Sequence, residues 1–592
     1  MNAQNFQEQN LRYEEVRPRE LWASRVQLAL TKLWRDKDSC CHYIGWGADQ
    51  LGRWIGATSV LHSILGIPID SEIQAKVQEL LANQDHEGLF FGDQLRAEPS
   101  SPHRVWFGQG RAIWNLLDYY RITGDARVLS ALFLAADCAV ADQAKLVVRK
   151  PLGCGIESVL GAMAVLGWQT GKQKYIDYAK YLAEHVDSEV ALPSESVPSD
   201  TAVIEHSHHS HSYLNIMQGL VDLFVVTGEE RYLAQAKRVF EATLPSIWVD
   251  GGISEGYGQP YEHDNEICSV VDWIMLALKI FAVTGEIRYL DAAELSILNQ
   301  LLFGQNYEGG FTTHRSLDRR HWRDEKNWGS IGIPEDFGWT KDWGISADFC
   351  CTMHGSWILA QAATYTLTRN QNGLSVNLPL DIDAHLKHRG NEIKVSQRTR
   401  ITATEMVQEL KISNPKGTPL NLKMRVPYWC DIPALWIDGQ PQRLLIDNRF
   451  IPLKCEGKSE YSIELRMPLK LRIIPARRNA LNANSTGAPG EASEQGLQYG
   501  PFVLMFNREM HKEVRERDIA LTVPVDDRGC PLVSQDLPKD WQDRGAIPLF
   551  LDAQLRNGTP ISLTPCANMT LTPFSVVDPY VLRFSGIRIL SH

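Results

Sequence analysis

Four times along the first three hundred residues an apolar helical stretch runs into a Thr-Gly or equivalent turn and a second amphipathic stretch begins at once. The turns are Tyr120-Arg-Ile-Thr-Gly124-Asp, Gly167-Trp-Gln-Thr-Gly171-Lys, Phe224-Val-Val-Thr-Gly228-Glu and Phe281-Ala-Val-Thr-Gly285-Glu. Apolar residues recur at helical spacing on both sides, and glycine takes the left-handed position just past a helix end, so each unit predicts a helical hairpin. The glycines stand 47, 57 and 57 residues apart, which suits a hairpin plus its return loop and makes the region an array. Further helices around Leu21 to Trp34, Gly47 to Leu65 and from Trp357 bring the number to about a dozen before residue 370. Six hairpins close into an (α/α)6 toroid whose inner helices aim their N-terminal ends at a central cavity. An open superhelix carries the same local signals.

After residue 370 the period falls to two, as in Leu374-Ser-Val-Asn-Leu, Glu392-Ile-Lys-Val-Ser, Asn421-Leu-Lys-Met-Arg-Val and Ser462-Ile-Glu-Leu-Arg-Met. Such alternation marks half-buried strands. The predicted fold class is therefore an (α/α)6 barrel over 1–370, a β-sandwich domain over 371–480 and a second sandwich or jelly-roll-like region over 481–592. A stretch rich in Ala, Asn, Ser and Gly from Asn479 to Gln495 divides the β part.

Composition narrows the function. A chain of 592 residues with 44% apolar and 22% charged residues is long enough for several cores, and its net charge of -11 argues against a nucleic-acid partner. Met1 to Glu20 is polar, and no uninterrupted apolar run of about 18 residues occurs. The expectation is a cytoplasmic protein with no membrane partner. Eleven cysteines, an odd number scattered through a large chain, fit reduced thiols better than a disulfide framework. A homodimer is compatible with the sequence and is not specified by it.

The chemistry gathers in two places. Glu266-Ile-Cys268 heads an apolar helical run, and Cys350-Cys351 stand side by side further on. One carboxylate and three thiols can close a tetrahedral shell around a zinc ion, with sulfur at about 2.3 Å and oxygen at about 2.1 Å. Taken singly, a Glu at a helix start is a favourable charge-dipole placement and a Cys in an apolar helix is a small hydrophobe. The adjacent thiols are what suggest a soft metal. Cys40-Cys41 has no Glu-x-Cys counterpart and reads as packing. The run Glu205-His206-Ser-His208-His209-Ser-His211 can also suggest metal, and solvation at the surface is the plain alternative for its histidines.

These residues resemble glycoside hydrolase family 127, typified by β-L-arabinofuranosidases. The likeness rests on Glu-x-Cys heading a helix that ends in Thr-Gly, on Phe349-Cys350-Cys351, and more weakly on Leu422-Lys-Met-Arg-Val-Pro-Tyr-Trp429 and Tyr499-Gly-Pro501. It implies a toroid with β-sandwich domains and a zinc held by Glu266, Cys268, Cys350 and Cys351. It also implies a retaining hydrolysis in which Cys350 is the nucleophile. Glu255, after Gly251-Gly-Ile-Ser, is the expected acid/base, set closer to Glu266 than in the family; Glu262 is the competing choice. His209 falls at a substrate-binding histidine of the family. Arg111 stands where the family has another pocket histidine, and Ile156 where it has a third, with Glu157 beside it counted as a substrate contact. An arginine there would suit a carboxylated sugar. Trp322, Trp328, Trp339 and Trp343 lie in an insertion expected to form a lid, and Asp49, Arg53 and Trp54 resemble an early inner-helix motif.

The reading is a zinc-dependent retaining glycosidase acting on a small arabinofuranoside or a related, acidic or neutral, sugar. Its rivals are a toroidal sugar epimerase or lyase, which would abstract protons with His or Tyr, and a carbohydrate-binding toroid with a structural zinc.

Overall fold

The computed structural model describes residues 6–41, 48–97, 102–142, 157–189, 209–253, 266–311, 350–475, 495–507, 510–511, 514, 519–533, 539–571, 580–581, 584 and 586–591. Twelve long helices lie within them: α1 Glu20–Arg35, α2 Asp49–Leu65, α3 Ser71–Ala82, α4 Pro102–Thr123, α5 Ala126–Ala141 and α6 Glu157–Thr170. They continue as α7 Gln173–Glu189, α8 Ser210–Thr227, α9 Glu230–Thr243, α10 Ile267–Thr284, α11 Ile287–Ser296 and α12 Cys350–Thr366. The last starts at the cysteine pair, a full two turns before the predicted Trp357.

The even-numbered helices form a closed inner ring. α2 packs on α4, α4 on α6, α6 on α8, α8 on α10 and α10 on α12, and α12 returns to α2. Each odd-numbered helix lies outside an even one, with α1 against α12 and the others against the inner helix just before them. Closure rules out the open superhelix. Every residue of α12, and α10 from Ile267 to Val283, is buried. By length and composition α10 could cross a membrane; here it is an inner stave of the ring.

The repeated turns explain themselves chemically. Gly124, Gly171, Gly228 and Gly285 all take positive φ, between 68° and 73°. In three of them the preceding threonine hydroxyl donates to the carbonyl four residues back and accepts the amide two residues on, as Thr227 does with Leu223 (2.7 Å) and Glu229 (3.2 Å). That acidic residue then takes the arginine two further along, Glu229 with Arg231 and Glu286 with Arg288, each at 3.0 Å. The hairpin is thus encoded locally.

Strands flank the barrel at both ends of the chain. β1 Gln9–Asn10 and β2 Val16–Pro18 precede α1, while β3 Leu367–Arg369, β4 Gly373–Val376, β5 Ile382–His388, β6 Asn391–Ile401, β7 Glu405–Ser413 and β8 Leu420–Arg425 follow α12. Next come β9 Ala434–Ile437, β10 Gln440–Gln442, β11 Phe450–Cys455 and β12 Glu460–Pro468. They form two sheets, ordered β1-β3-β4-β8-β11 and β10-β9-β12-β7-β6-β5-β2, so the N-terminal strands belong to the β layers and not to the helical ring. In β12 the alternation is plain: Tyr461, Ile463, Leu465 and Met467 point inward. A third sheet comprises strands between Leu471 and Ser591.

Buried polar rivets fasten barrel to sandwich. Arg425, on β8, donates to Glu294 (2.5 Å) and Asp291 (2.6 Å) of α11, and Trp429 Nε1 donates to Glu294 at 2.8 Å. α11 runs on through a π-helical turn, Ile297–Leu301, which turns Asn299 outward to bond the backbone of Pro501 (2.9 Å) and Val503 (2.8 Å). The Arg-Val-Pro-Tyr-Trp and Tyr-Gly-Pro segments singled out in the sequence are therefore docking edges, and Arg25 of α1 adds a third contact by donating to the carbonyls of Gly545 (3.0 Å) and Ala567 (2.7 Å).

Candidate active site and metal centre

Helix N-termini of the inner ring supply the site. Glu266 is the N-cap of α10 and His209 that of α8, Cys268 lies in the first turn of α10, Cys350 and Cys351 open α12, and Asp49 opens α2. The ligand atoms of Glu266, Cys268, Cys350 and Cys351 all lie within 4.8 Å of one another. Cys351 Sγ is 3.3 Å from Cys268 Sγ and 4.0 Å from Glu266 Oε1. A tetrahedral zinc with bonds of about 2.3 Å needs donors about 3.8 Å apart, so this set fits the ion. Glu266 Oε2 also takes Ser269 Oγ (2.9 Å) and His209 Nε2 (2.7 Å), which fixes the carboxylate from behind.

The three thiols are not equivalent. Hydrogen bonds from Cys268 and Cys351 hold Cys350 well below the ordinary thiol range, aided by the charge of Arg53 and by His209. Burial pushes Cys268 and Cys351 well above it. Cys350, at a helix N-terminus, is the thiol whose ionised form the protein favours.

Beside Cys268, whose sulfur lies within 4.8 Å of ring nitrogens of His211 and His354, is a largely buried polar network. Arg53 Nε donates to Asp49 at 2.7 Å. Arg53 Nη2 (3.2 Å) and Arg111 Nη2 (3.0 Å) both approach His211 Nε2. Guanidinium groups only donate, so Nε2 accepts and Nδ1 carries the hydrogen that His211 gives to Asp272. Burial, then the two arginines, hold His211 well below the usual histidine range, so the ring is neutral. Asp272 also receives Gln218 Nε2 (2.7 Å) and Asn215 Nδ2 (3.3 Å), with Arg111 at 3.9 Å. Phe107 lies 5.7 Å from each guanidinium. A narrow cleft opens between these groups and Trp114, His354 and Trp357.

The structure thus brings together all four metal candidates, with His209 engaged on Glu266 and Arg111 on His211. Glu157 opens α6, but its side chain, like Glu255, Glu262, His206, His208 and the four insertion tryptophans, lies outside the described residues. His211 is 1% exposed and is not part of a solvated histidine surface. Sequence reasoning passed over it, together with Asp272 and His354. The repeat could have found Asp272: Asn215 and Asp272, like His209 and Glu266, are 57 residues apart and touch, because successive inner helices present equivalent positions to one another. Cys40 and Cys41 are buried, in keeping with packing, and none of the ten cysteines among the described residues is in a disulfide.

Asp250 to Gly252, shortly before Glu255 in sequence, are anchored on α11. Gly251 (φ 84°) presses so closely on Ser296 that a Cβ would come within 2.5 Å of its Cα. Asp250 accepts from Gly252 N at 3.1 Å, is 0% exposed, and has no ion pair among the described residues; burial pushes its carboxyl up to about 7. An unfolded aspartate titrates near about 3.9, so between these values the native state binds the extra proton and stability from this group falls as pH rises toward 7. Asp250→Asn is expected to remove that slope. Urea melts at pH 8 should show a gain on the order of 2 kcal/mol over wild type, and melts near pH 4 almost none.

A toroid of helical hairpins with appended β-sandwiches and a carboxylate-thiol cluster at its mouth is the architecture of a class of glycoside hydrolases. The family described as β-L-arabinofuranosidase, GH127 catalytic domain, matches residues 33–364, and the GH127 middle domain matches residues 373–469. The chain belongs to glycoside hydrolase family 127 and is a glycoside hydrolase of the β-L-arabinofuranosidase type. The non-reducing end β-L-arabinofuranosidase of Bifidobacterium longum subsp. longum is 20% identical over 516 residues, which cover 77% of this chain and 74% of that one. Among solved structures, a GH127 β-arabinofuranosidase superposes with a TM-score of 0.72 at 17% identity, over 99% of this chain and 100% of that one. A GH127 β-L-arabinofuranosidase from Geobacillus stearothermophilus T6 gives 0.72 at 15% identity, over 97% and 100%. These superpositions establish the fold.

Proposed function

We propose that the protein is a retaining glycosidase that releases a small terminal L-arabinofuranoside, with Cys350 as nucleophile, Glu255 as acid/base, and zinc held by Glu266, Cys268, Cys350 and Cys351. The observation that carries this reading is the convergence of those four donors within 4.8 Å, with Cys350 held below the ordinary thiol range by its neighbours. When bound, the zinc supplies positive charge that keeps the thiols deprotonated at neutral pH. Cys350 Sγ attacks the anomeric carbon and the glycosidic C–O bond breaks, while the departing oxygen takes a proton from the Glu255 carboxyl. A water then attacks the same carbon, gives its proton to Glu255, and the C–S bond breaks to restore the thiolate. His209 holds the Glu266 carboxylate.

Charge favours a neutral sugar over a carboxylated one. Arg53 is answered by Asp49 and Arg111 is near Asp272, and three thiolates with one carboxylate, if they held a divalent ion, would leave net negative charge at the mouth. The carbohydrate partner and residence in a reducing, cytoplasmic compartment belong to the same proposal. Four protein donors around one ion also suit a purely structural zinc, so the test must read metal and turnover together. Metal analysis of the reduced protein is expected to give one zinc per chain, with hydrolysis of p-nitrophenyl β-L-arabinofuranoside and retention of anomeric configuration. Stripping the zinc should abolish turnover and lower Tm. Zinc without hydrolysis of any glycoside would leave a structural centre.

A further inference from the structure

Two successive inner helices open on the same construction. His209 is the N-cap of α8 with Ser212 three positions on, and Glu266 is the N-cap of α10 with Ser269 three positions on. The two pairs are 57 residues apart, the spacing of the helical repeat. An N-cap side chain ordinarily accepts an amide of its own first turn; among the described residues neither His209 nor Glu266 does so. Each meets its serine instead: Ser212 Oγ lies 3.3 Å from His209 Nδ1, and Ser269 Oγ donates to Glu266 Oε2 at 2.9 Å. The two N-cap side chains then meet across the helix pair, with His209 Nε2 2.7 Å from the same Oε2. Both serines are fully buried and Glu266 nearly so.

The direction of each bond follows from what the groups can do. An ionised carboxylate only accepts, so His209 carries a hydrogen on Nε2, and in the neutral ring Nδ1 accepts from Ser212 Oγ. Two donors therefore fill both lone pairs of Oε2. Oε1 is the oxygen turned to the thiols, 4.0 Å from Cys351 Sγ. We propose that Ser269, His209 and, through His209, Ser212 are positioning residues that commit one oxygen of Glu266 and so make it a one-oxygen metal ligand. This rests on the metal centre proposed above and adds what sets its coordination number. Three thiolates and one oxygen close a four-coordinate shell, whereas a carboxylate released to bind through both oxygens makes five.

The test uses the reduced full chain, stripped of metal and reloaded with zinc or with cobalt(II), whose visible bands are intense in a four-coordinate site and weaken in a five-coordinate one. Zinc affinity is read by competition with a chromogenic chelator. Ser269→Ala and His209→Ala are expected to raise the zinc Kd by about 10–100-fold and to weaken the cobalt bands, with the Tm of the metal-free proteins near wild type. His209, 31% exposed, can be truncated even where the buried Ser269 cannot. His209→Gln, which keeps a donor toward Oε2, should restore most of the affinity and the bands. Ser212→Ala should raise Kd by about threefold alone and change nothing further in a His209→Ala background, because it acts through the imidazole. Unchanged affinity and bands in both alanine variants overturn the positioning role and leave the metal centre standing. Weaker affinity with wild-type cobalt bands also overturns it, and assigns the three side chains to helix packing. A wild type that takes up neither ion overturns the metal centre and this inference together.

Discussion

Replacing Cys350 by serine is expected to lower kcat on p-nitrophenyl β-L-arabinofuranoside by about 10³-fold or more while leaving the fold intact. The hydroxyl is nearly the same size, and it sits at the first position of α12, where serine is well tolerated. What it loses is ionisation: the thiol that Cys268, Cys351 and Arg53 favour as an anion becomes an alcohol that stays protonated near neutral pH. Steady-state kinetics, metal analysis and a thermal melt on one preparation check this. Wild type mixed with a slow substrate should also gain the mass of one sugar on the peptide containing Cys350, and the variant should not. A variant that sheds zinc, melts early and yet turns over in its folded fraction would assign Cys350 to the scaffold.

Arg425→Met is expected to cost about 3–5 kcal/mol of stability. Arg425 is buried with Asp291 and Glu294, all three side chains 1–3% exposed, and without the guanidinium two carboxylates remain out of water with only Arg449 at the rim to answer Asp291. Urea denaturation measures the loss. Adding Glu294→Gln and Asp291→Asn should return much of it, because neutral amides are far cheaper to bury than charges. Activity per folded molecule should change little, since the rivet is on an outer helix. An unchanged midpoint in the single variant would show that water reaches the pair.

The features legible in the sequence were the local ones. The Thr-Gly turns announce themselves because threonine, glycine and the next acidic residue do their work within a few positions. The four metal candidates were legible because thiols and a carboxylate are chemically distinctive wherever they fall. The buried network was not. His211 looks like one of several histidines in a polar run, Asp272 like an interruption of an apolar helix, and His354 like nothing at all. Their meaning comes from ring closure, which sets α2, α4, α8, α10 and α12 around one cleft. The start of α12 was placed late because the two cysteines read as loop chemistry, while their backbone is already helical. The N-terminal strands were missed for another reason: β2 is three residues long, and its partner β5 lies on the far side of the barrel sequence.

The way the ring closes also sets a timetable for synthesis. α2, with Asp49 and Arg53, leaves the ribosome as the first inner helix, and α12, with Cys350, as the last, yet the two are neighbours in the finished ring. At about 5–20 residues per second, a nascent chain carries an incomplete binding site for tens of seconds. During that interval β2 waits as well, because among the described residues Val16–Pro18 pairs with Ile382, Asp383 and Ala384 of β5. The four donors of the proposed metal centre, Glu266 and Cys268 on α10 with Cys350 and Cys351 on α12, would likewise come together only when the seam is made, so capture of an ion there would coincide with ring closure.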